Sequence, residues 1–594
     1  MIIHYKNKGL ERWLICVKAL ASAVVVASFV LLFGFEEPLL PVRLLYTVQL
    51  AMLCVFLAGK VIRLFNAQFV REFLIANWFE IPLLIALAVA VFGSGRWSGR
   101  FEPAAVRRFA VGLYLVIEVI TKVCRTVVNL AASGRNPTQT LIASFLVLIV
   151  FGAGALSLPR CAAGEPIGIV DALFTATSAT CVTGLIVKDT GSDFSLMGQI
   201  VILTLIQLGG LGIVVFGAVL ALLLGQALSL RESVAMQDLL SARTLGRIGR
   251  MIAFIFIGTI VIEALGAISV FGMWDDVPGR VSGVRQQWFC SIFHSISAFC
   301  NAGFSLFGDS FMSYRGSWGI YVVVCPLIVL GGLGFSVLYD LGNIGVDRVR
   351  RVLKKVFYKR YRLSMGAPKK MQLQTKIVLG VSASLIVVGT LAVLLFERYA
   401  SDGSGGADGG VLGALFQSIT ARTAGFNTVN ISRLSPSSRF ILILLMFIGG
   451  SPGSTAGGIK TVTFAVVVMA AVAALRKRTE VEMFRRSVRI VVVGRAITVT
   501  LLFAAVLFCS TLVLSITENG NGFGMSDIMF EAASALGTVG LTTGITPSLT
   551  SWGKVIIILV MLIGRLGPLT LLAMLTFNLK PVRYNYPEEA VIVG

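Results

Sequence analysis

The chain is short of the residues on which most enzymes depend. Only two histidines occur among its 594 residues, and 13% of its residues are charged. Its nine cysteines lack the paired spacing of a disulfide framework or a metal site. Dinucleotide-binding and Walker motifs are absent, as is any pairing of a nucleophile with a general base. These absences argue against an enzyme and predict that the chain itself binds no nucleotide cofactor.

Acidic residues are scarce as well. The sequence has 29 Asp and Glu against 51 Lys and Arg, a net charge of +22. In a soluble domain this excess would suggest a nucleic-acid partner. Here 56% of residues are hydrophobic and several apolar runs are long enough to cross a bilayer, with the basic residues collected between them. The composition therefore predicts a polytopic helical membrane protein in contact with lipid, without nucleic acid as a partner.

A short glycine motif occurs four times along the chain. Each copy is a Ser or Thr followed by Ala, a short polar run, and a glycine before Leu or Phe. The glycines are Gly184, Gly303, Gly425 and Gly540, separated by 119, 122 and 115 residues. About ten residues before each glycine, a phenylalanine opens an apolar segment too short to span a bilayer; these are Phe174, Phe293, Phe416 and Phe530. This pattern predicts four re-entrant pore helices, each ending in a loop.

The predicted fold is an all-α polytopic membrane protein with four repeats of outer helix, pore loop and inner helix around a pseudo-fourfold pore. Four further helices precede the repeats, at 13–34, 43–64, 74–92 and 106–130. We expect outer helices at 138–158, 250–272, 374–396 and 490–515, and inner helices at 198–224, 318–340, 438–475 and 552–578. The total is twelve spanning helices.

The expected domain boundaries follow from these repeats. The N-terminal helices occupy 1–135; the repeats occupy 136–230, 231–345, 374–478 and 479–580; a basic linker occupies 346–373 and a tail 581–594. Basic loops follow the inner helices, which places these loops, the linker, the tail and both termini in the cytoplasm and opens the pore loops outward. The arginine-rich segment 93–108 departs from this rule.

The glycine loops suit a cation pore. Backbone carbonyls can replace the water around a cation without adding full charge, and glycine readily adopts the backbone conformations that aim carbonyls at one axis. The C-terminal end of each pore helix adds partial negative charge. We expect hydroxyls to brace or line the loops; the candidates are Thr183, Thr423, Thr538 and Thr542. Arg422 is the one basic residue in these loops.

A second glycine-rich feature interrupts each inner helix, about 25 residues after the loop glycine. In the third repeat it is too rich in glycine and proline to be continuous helix, and we interpret it as a gate below the loops. Its residues are Gly449, Gly450, Ser451, Pro452, Gly453, Ser454, Thr455, Gly457, Gly458 and Lys460. In the fourth repeat the break contains Arg565. This arginine could form an electrostatic barrier, hold the gate by hydrogen bonds, or pair with a buried acid such as Glu263 or Glu531.

Taken together, the four loops, the 449–461 stretch and the 563–570 stretch resemble the Trk/Ktr/HKT superfamily of potassium transporters, on its bacterial side. The resemblance covers about 137–580, and the first 130 residues match it loosely. It implies a K⁺ uptake pore, assembled as a homodimer in the cytoplasmic (inner) membrane. It also implies separate cytoplasmic nucleotide-binding regulatory subunits, for which the basic linker is a candidate docking site.

The resemblance also assigns the selectivity filter and the gate residue by residue. The filter carbonyls that hold K⁺ would come from Val182, Thr183 and Gly184; Asn301, Ala302 and Gly303; Thr423, Ala424 and Gly425; and Thr538, Val539 and Gly540. The gate loop falls on 449–460, and the arginine below the filter is Arg565. Members with serine in place of the first filter glycine tend to pass Na⁺, so glycine at all four positions favours K⁺.

Two alternatives remain open from the sequence. One is an alternating-access carrier for another solute, since repeats and broken helices also occur in such carriers. Carriers usually contain inverted repeats, whereas the four repeats here share one orientation. The other is a Na⁺-permeable member of the same superfamily.

Overall fold

The computed structural model describes residues 6–71, 80–92, 103–132, 137–212, 248–357, 367–400, 410–478 and 480–567. This part is helical throughout except for connecting segments and one two-stranded hairpin. The predicted all-helical class is therefore confirmed. Of the basic loop expected at 230–250 after the first inner helix, only 248–250 are described, and they begin the second outer helix; the tail at 581–594 lies outside the described residues.

Four N-terminal helices pack into a bundle of their own. They are Lys8–Phe33, Val42–Asn66, Glu80–Phe92 and Pro103–Ala132. Buried apolar side chains, Val25 and Phe56 among them, form the core of the bundle. Inside it, Lys60 forms an ion pair with Glu118 at 2.8 Å, which satisfies two charges that would be costly if left alone. The bundle meets the first repeat where the Arg160 amide donates to the Gly34 carbonyl.

The outer helices lie close to their predicted ranges because each is a long apolar run. They are Pro137–Leu156, Ile248–Val270, Leu373–Ala400 and Ile490–Thr517. In three of them a glycine lets the pore helix and the inner helix approach closely. A methyl group at Gly266, for example, would lie 2.8 Å from Leu327 and against Ser295, and Gly152 and Gly389 are placed in the same way. The repeats therefore share their packing as well as their order of helices.

The pore helices begin earlier than the sequence suggested. They are Ile169–Thr180, Val284–Phe299, Gly410–Thr420 and Met525–Gly537. The marker phenylalanines, such as Phe174 and Phe530, lie within these helices and are fully buried. They are core residues, so the prediction that they open the helices is wrong. The helices remain too short to cross a membrane, as predicted.

Each described inner-helix segment ends or bends at its second glycine-rich feature. The segments before the breaks are Leu196–Leu211, Ile320–Val324 (π-helical) continuing as Cys325–Leu333, Pro436–Phe447 and Ser551–Leu566. The break predicted within the inner helix at 318–340 is present, because the chain bends by 105° between Leu333 and Phe335; the helix then continues as Phe335–Phe357, beyond the expected end at 340. In the third repeat the helix resumes at Thr461–Leu475.

Two connections differ from the expected basic loops. The helix Phe335–Phe357 occupies the first part of the predicted 346–373 linker. Between the third and fourth repeats, Val481–Met483 pairs with Arg486–Val488 in an antiparallel hairpin. Phe484 and Arg485 form its turn with positive φ angles of 48° and 62°. Such a turn usually carries Asn or Gly, so no local residue pattern predicted it.

Five described helices are long and apolar enough to cross a membrane, and the bent pair of the second repeat makes six. The other inner-helix segments are shorter. The first and fourth of them end beside residues that lie outside the described part. The count of twelve spans therefore stays a prediction.

Ion pairs join neighbouring repeats near the starts of their inner helices. Lys554, near the start of the fourth inner helix, contacts Asp171 of the first pore helix at 2.7 Å. Arg439 of the third inner helix contacts Asp527 of the fourth pore helix at 2.7 Å. In both cases the inner helix of one repeat holds the pore helix of the next. The order of the repeats around the centre is therefore the order in the chain.

Candidate functional site: a ring of four glycine loops above an inner-helix loop

All four pore helices end in the same backbone conformation. The first residue of each predicted filter triplet has a positive φ: 56° at Val182, 57° at Asn301, 80° at Thr423 and 50° at Thr538. The glycine two residues later is also positive in each case, for example 88° at Gly184. Three of these four residues, Val182, Thr423 and Thr538, are β-branched. For such residues this conformation costs about 1–3 kcal/mol. Strain repeated at four equivalent places points to a functional backbone.

Hydrogen bonds at the helix ends hold this conformation. In the first repeat the Val182 amide donates to the Ala179 carbonyl at 3.1 Å, and the Thr183 amide to the Ser178 carbonyl at 2.8 Å. This is a Schellman cap, which normally ends on glycine. The second and fourth repeats have the same pair of bonds. The third differs, since Ala424 donates to the carbonyl of Thr420 four residues earlier.

The four triplets close into a ring. A methyl group at Gly303 would lie 2.8 Å from the Ala424 carbonyl oxygen and 2.9 Å from the Gly425 Cα. Equivalent collisions would occur between Gly184 and the Ala302 carbonyl, Gly425 and the Val539 carbonyl, and Gly540 and the Thr183 carbonyl. Each glycine therefore touches the carbonyl that precedes the glycine of an adjacent repeat. The structure brings all twelve predicted filter residues together, and a side chain at any of the four glycines would force the ring apart.

Hydroxyl groups brace each loop from the last turn of its pore helix. Ser178 and Ser534 accept hydrogen bonds from the amides of Gly184 and Gly540, both at 3.1 Å. In the second and third repeats, Ser297 and Thr420 instead donate to the carbonyls of Phe304 and Phe426, at 2.8 and 2.7 Å. These are the Ser or Thr residues that open each copy of the motif. The sequence signal was present, but no bracing role was assigned to them.

The threonines expected to brace the loops behave differently. The hydroxyls of Thr183 and Thr538 are buried and have no hydrogen-bond partner within the described residues. Thr423 lies 3.5 Å from the Asn301 amide, and Thr542 donates to Glu531. Arg422 directs its guanidinium to the third outer helix, 3.1 Å from the Ser382 hydroxyl. Its charge is thus held behind the loop.

Two kinds of glycine act at the inner-helix breaks. Gly209, Gly331 and Gly564 lie against the last carbonyls of their own pore helices, where a side chain would collide with Thr180, Phe299 and Leu536. Three residues later the helix ends on a glycine with positive φ: 80° at Gly212, 88° at Gly334 and 84° at Gly567. The first glycine permits close packing and the second permits the break.

The glycine-rich stretch of the third inner helix forms a loop that crosses to the second repeat. The Ser451 amide donates to the Gly332 carbonyl at 3.0 Å, and the Phe335 amide donates to the Gly453 carbonyl at 2.9 Å. The Lys460 ammonium donates to the Ala456 carbonyl at 2.7 Å and so caps the loop from within. Unwound backbone of this kind is stable in a membrane only when its polar groups are satisfied.

The same loop lies directly against the ring. A methyl group at Gly457 would collide with the Thr538 hydroxyl and lie 3.1 Å from the Gly537 carbonyl. The Thr455 hydroxyl is 3.4 Å from the carbonyl of Phe299, at the end of the second pore helix, and 3.2 Å from the Gly331 carbonyl. The loop therefore contacts the second and fourth repeats at the level where their pore helices end.

Arg565 links this loop to the first repeat. Its guanidinium donates to the Thr455 carbonyl and to the Gly209 carbonyl. Within the described part of the chain it forms no ion pair. Glu263 accepts from Gln207 at 3.1 Å, and Glu531 accepts from three groups of its own loop. Of the three roles considered for Arg565, the geometry matches hydrogen bonding to the loop.

Known proteins resemble this chain in sequence. Residues 112–581 match the TrkH family, described as cation transport proteins. The chain is 37% identical over 462 residues to the Ktr system potassium uptake protein B of Bacillus subtilis, covering 77% of this chain and 97% of that protein. It is 35% identical over 464 residues to the potassium/sodium uptake protein NtpJ of Enterococcus hirae, covering 77% and 97%.

The fold is also found among solved structures. The potassium transporter TrkH of Vibrio parahaemolyticus matches with a TM-score of 0.55 and 21% identity, covering 85% of this chain and 97% of that one. A transporter family confirms the expectation that the chain is not an enzyme. Because the family match spans most of the chain and the relatives are matched over nearly their whole length, the chain belongs to the TrkH family of cation transport proteins.

Proposed function

We propose that this protein takes up potassium through the ring of glycine loops. The observation that carries the proposal is the closed contact of four glycines with four neighbouring carbonyls, those of Thr183, Ala302, Ala424 and Val539. Carbonyl oxygens at this position can replace the water shell of an alkali ion. The names of the matched relatives from Bacillus subtilis and Enterococcus hirae include potassium uptake.

The filter in this proposal consists of the four triplets 182–184, 301–303, 423–425 and 538–540. The ion is cargo held by backbone oxygens, and no other cofactor is required. Positive φ at the first and third residue of each triplet supports the assignment, because alternating backbone conformations let successive carbonyls point to one side. The buried charge of Arg422 lies behind the third loop, which keeps the ring free of a competing cation.

The gate in this proposal is the loop 449–460. It lies against the fourth triplet and the second pore helix, so an ion leaving the ring toward the cytoplasm must pass it. Arg565 fastens it to the first and fourth repeats. Opening requires the loop to move away, and the bonds of Ser451 and Thr455 to the second repeat are the contacts that must be exchanged.

Sodium is the second candidate ion. One matched relative is named a potassium/sodium uptake protein, and the family description covers cations in general. All four loop glycines are present here, which favours the larger, more easily dehydrated K⁺. A direct comparison of the two ions decides between the candidates.

The protein is a multi-pass membrane protein, and we propose the inner membrane with both termini in the cytoplasm. We further propose a homodimer that works with cytoplasmic nucleotide-binding subunits, since relatives are named as parts of a Ktr system. The helix Phe335–Phe357 is a candidate contact, because it carries exposed Arg348 and Arg350 and begins at Phe335, which is bonded to the gate loop.

The test is radioactive rubidium uptake into liposomes that contain this chain alone, with and without a Na⁺ gradient. We expect Rb⁺ uptake that excess K⁺ suppresses and that equal Na⁺ leaves largely unchanged. Growth of a K⁺-uptake-deficient cell at low K⁺ is the matching assay in vivo. Equal permeability of the purified protein to K⁺ and Na⁺ would reject the filter proposed for K⁺.

A further inference from the structure

Two ionisable residues occupy the same position in opposite repeats. His294 lies nine residues before Gly303, and Glu531 lies nine residues before Gly540. Each is on a pore helix, and each is 1% exposed. The ring contacts run from the first repeat to the second, third and fourth and back to the first, so the second and fourth repeats face each other across the centre.

Both side chains hold the chain just after the filter glycine. Nε2 of His294 lies 3.1 Å from the Ser305 hydroxyl and accepts from the Leu306 amide at 3.3 Å. Glu531 accepts from the Thr542 hydroxyl and from the Thr543 amide, the latter at 3.1 Å. In both repeats the partners are a hydroxyl two residues after the glycine and an amide three residues after it.

The surroundings fix the orientation of each brace. Nδ1 of His294 lies 2.8 Å from the Cys290 carbonyl, which can only accept, so the proton is on Nδ1 and Nε2 is the acceptor. The ring stacks on Phe307 at 5.2 Å. The second oxygen of Glu531 accepts from the Thr546 hydroxyl at 2.9 Å. Neither side chain is free to turn away from the loop.

The other two repeats lack this brace. The equivalent positions are Thr175 and Phe416. Thr175 donates to the Asp171 carbonyl in its own helix, and Phe416 is a buried apolar residue. At this position of the pore helix, an acceptor for the segment after the filter glycine is thus present in two opposite repeats and absent from the other two.

We propose that His294 and Glu531 are positioning residues of the filter: by anchoring the segments after Gly303 and Gly540, they set the carbonyl spacing on which ion selectivity depends. The inference rests on the proposed potassium filter. Each side chain is bonded to the segment after the filter glycine, so each acts through the loop it holds. A neutral acceptor of the same shape should therefore serve at position 531 as well as a carboxylate.

The experiment compares Glu531→Ala, Glu531→Gln and His294→Ala by Rb⁺ and Na⁺ uptake in liposomes. We expect the Rb⁺/Na⁺ ratio to fall about tenfold in both alanine variants, because a buried amide and hydroxyl lose their acceptor. Glu531→Gln should stay within about threefold of the unmodified protein, since glutamine can accept from Thr543 and donate to Thr546. Thr542→Val, a smaller lesion, should shift the ratio in the same direction and keeps the test decisive if Glu531→Ala does not fold.

The matched control is Glu518→Ala. Glu518 is also 1% exposed and accepts from the Thr550 hydroxyl at 2.6 Å and the Thr550 amide at 3.2 Å, but it holds the start of the fourth inner helix and not the loop. Its loss should lower thermal stability and leave the ratio unchanged.

Three results would overturn the inference: an unchanged ratio in the Glu531 and His294 alanine variants, an equal shift in Glu518→Ala, or a loss in Glu531→Gln as large as in Glu531→Ala. The last result would assign the effect to charge and not to position. If the unmodified protein itself fails to select Rb⁺ over Na⁺, the proposed filter fails first, and that outcome is recognised before any variant is made.

Discussion

The guanidinium of Arg565 donates a hydrogen bond to the carbonyl of Thr455, which joins the fourth inner helix to the loop that divides the third. A second bond from the same side chain reaches Gly209 in the first repeat. Because this buried guanidinium is bonded to carbonyl oxygens and not to a carboxylate, no negative charge among the described residues neutralises it. In the proposed pore, its positive charge and its bonds to the loop would act together against an ion that leaves the ring.

Replacement of Arg565 by glutamine is expected to raise the Rb⁺ uptake rate about fivefold to tenfold. Glutamine removes the charge and shortens the reach to Thr455, so both the barrier and the tether weaken. Uptake per folded protein in liposomes is the measurement. Lys554→Gln, on the same helix but paired with Asp171 at the outer end, should leave the rate near that of the unmodified protein. A lower rate in Arg565→Gln would contradict a gating role.

Gly184→Ser is expected to reduce the K⁺/Na⁺ permeability ratio by about tenfold. The new side chain would collide with the Ala302 carbonyl, and φ of 88° at this position is unfavourable for serine. The carbonyl must move, and the spacing of the ring changes with it. The ratio is measured from competing Rb⁺ and Na⁺ fluxes. Gly164→Ser, with open space around the glycine, serves as the control and should not alter the ratio.

Gly457→Ala is expected to raise uptake about threefold or more while the ion preference is retained. The added methyl group has no room beside Thr538, whereas the ring is held by its own Schellman cap, so the loop is the part that moves. Rate and selectivity are measured on the same liposomes. Gly154→Ala, in the first outer helix with nothing near it, is the matched substitution. A loss of selectivity without a rise in rate would mean that the ring moves instead.

The Lys554–Asp171 pair is expected to couple the first and fourth repeats by about 1 kcal/mol. The two side chains are 15% and 21% exposed, so water screens them only in part. Thermal unfolding is measured for Lys554→Met, Asp171→Asn and the double variant. The double variant should be at least as stable as the less stable of the two single variants. The exposed pair Arg478–Glu482 provides the comparison, and its coupling should stay below about 0.5 kcal/mol. Strict additivity at Lys554 and Asp171 would contradict the prediction.

The sequence was informative wherever a feature repeats. Four glycines at three near-equal intervals predicted loops that the structure brings into one ring, and the long outer helices could be placed from apolar length alone. Repetition was also misleading, since Phe174 and its equivalents recur because each fills the core beneath a loop. A residue that recurs once in every repeat can mark the start of a helix or a core position inside it, and the sequence pattern alone does not distinguish the two.

Other features depend on contacts that no local pattern encodes. The bend at Gly334 requires both a positive φ and the Gly453 carbonyl of another repeat, which accepts from Phe335. The equivalence of His294 and Glu531 lies in their bonds to the segment after the glycine, and a histidine and a glutamate share no residue pattern that would predict it. The hairpin at 481–488 turns on Phe484 and Arg485, residues that tertiary packing and not propensity places in a left-handed conformation.

One polypeptide carries all four quarters of the proposed pore, and within the described residues the third quarter alone opens its inner helix into a long loop, which touches the second and fourth quarters. In an assembly of four identical chains, any lengthening of this kind would appear four times and the copies would compete for one central space. Four repeats within one chain remove that conflict, because each repeat has its own sequence and can differ from the other three. A single loop can then serve as the proposed gate without three copies of it in the same central space.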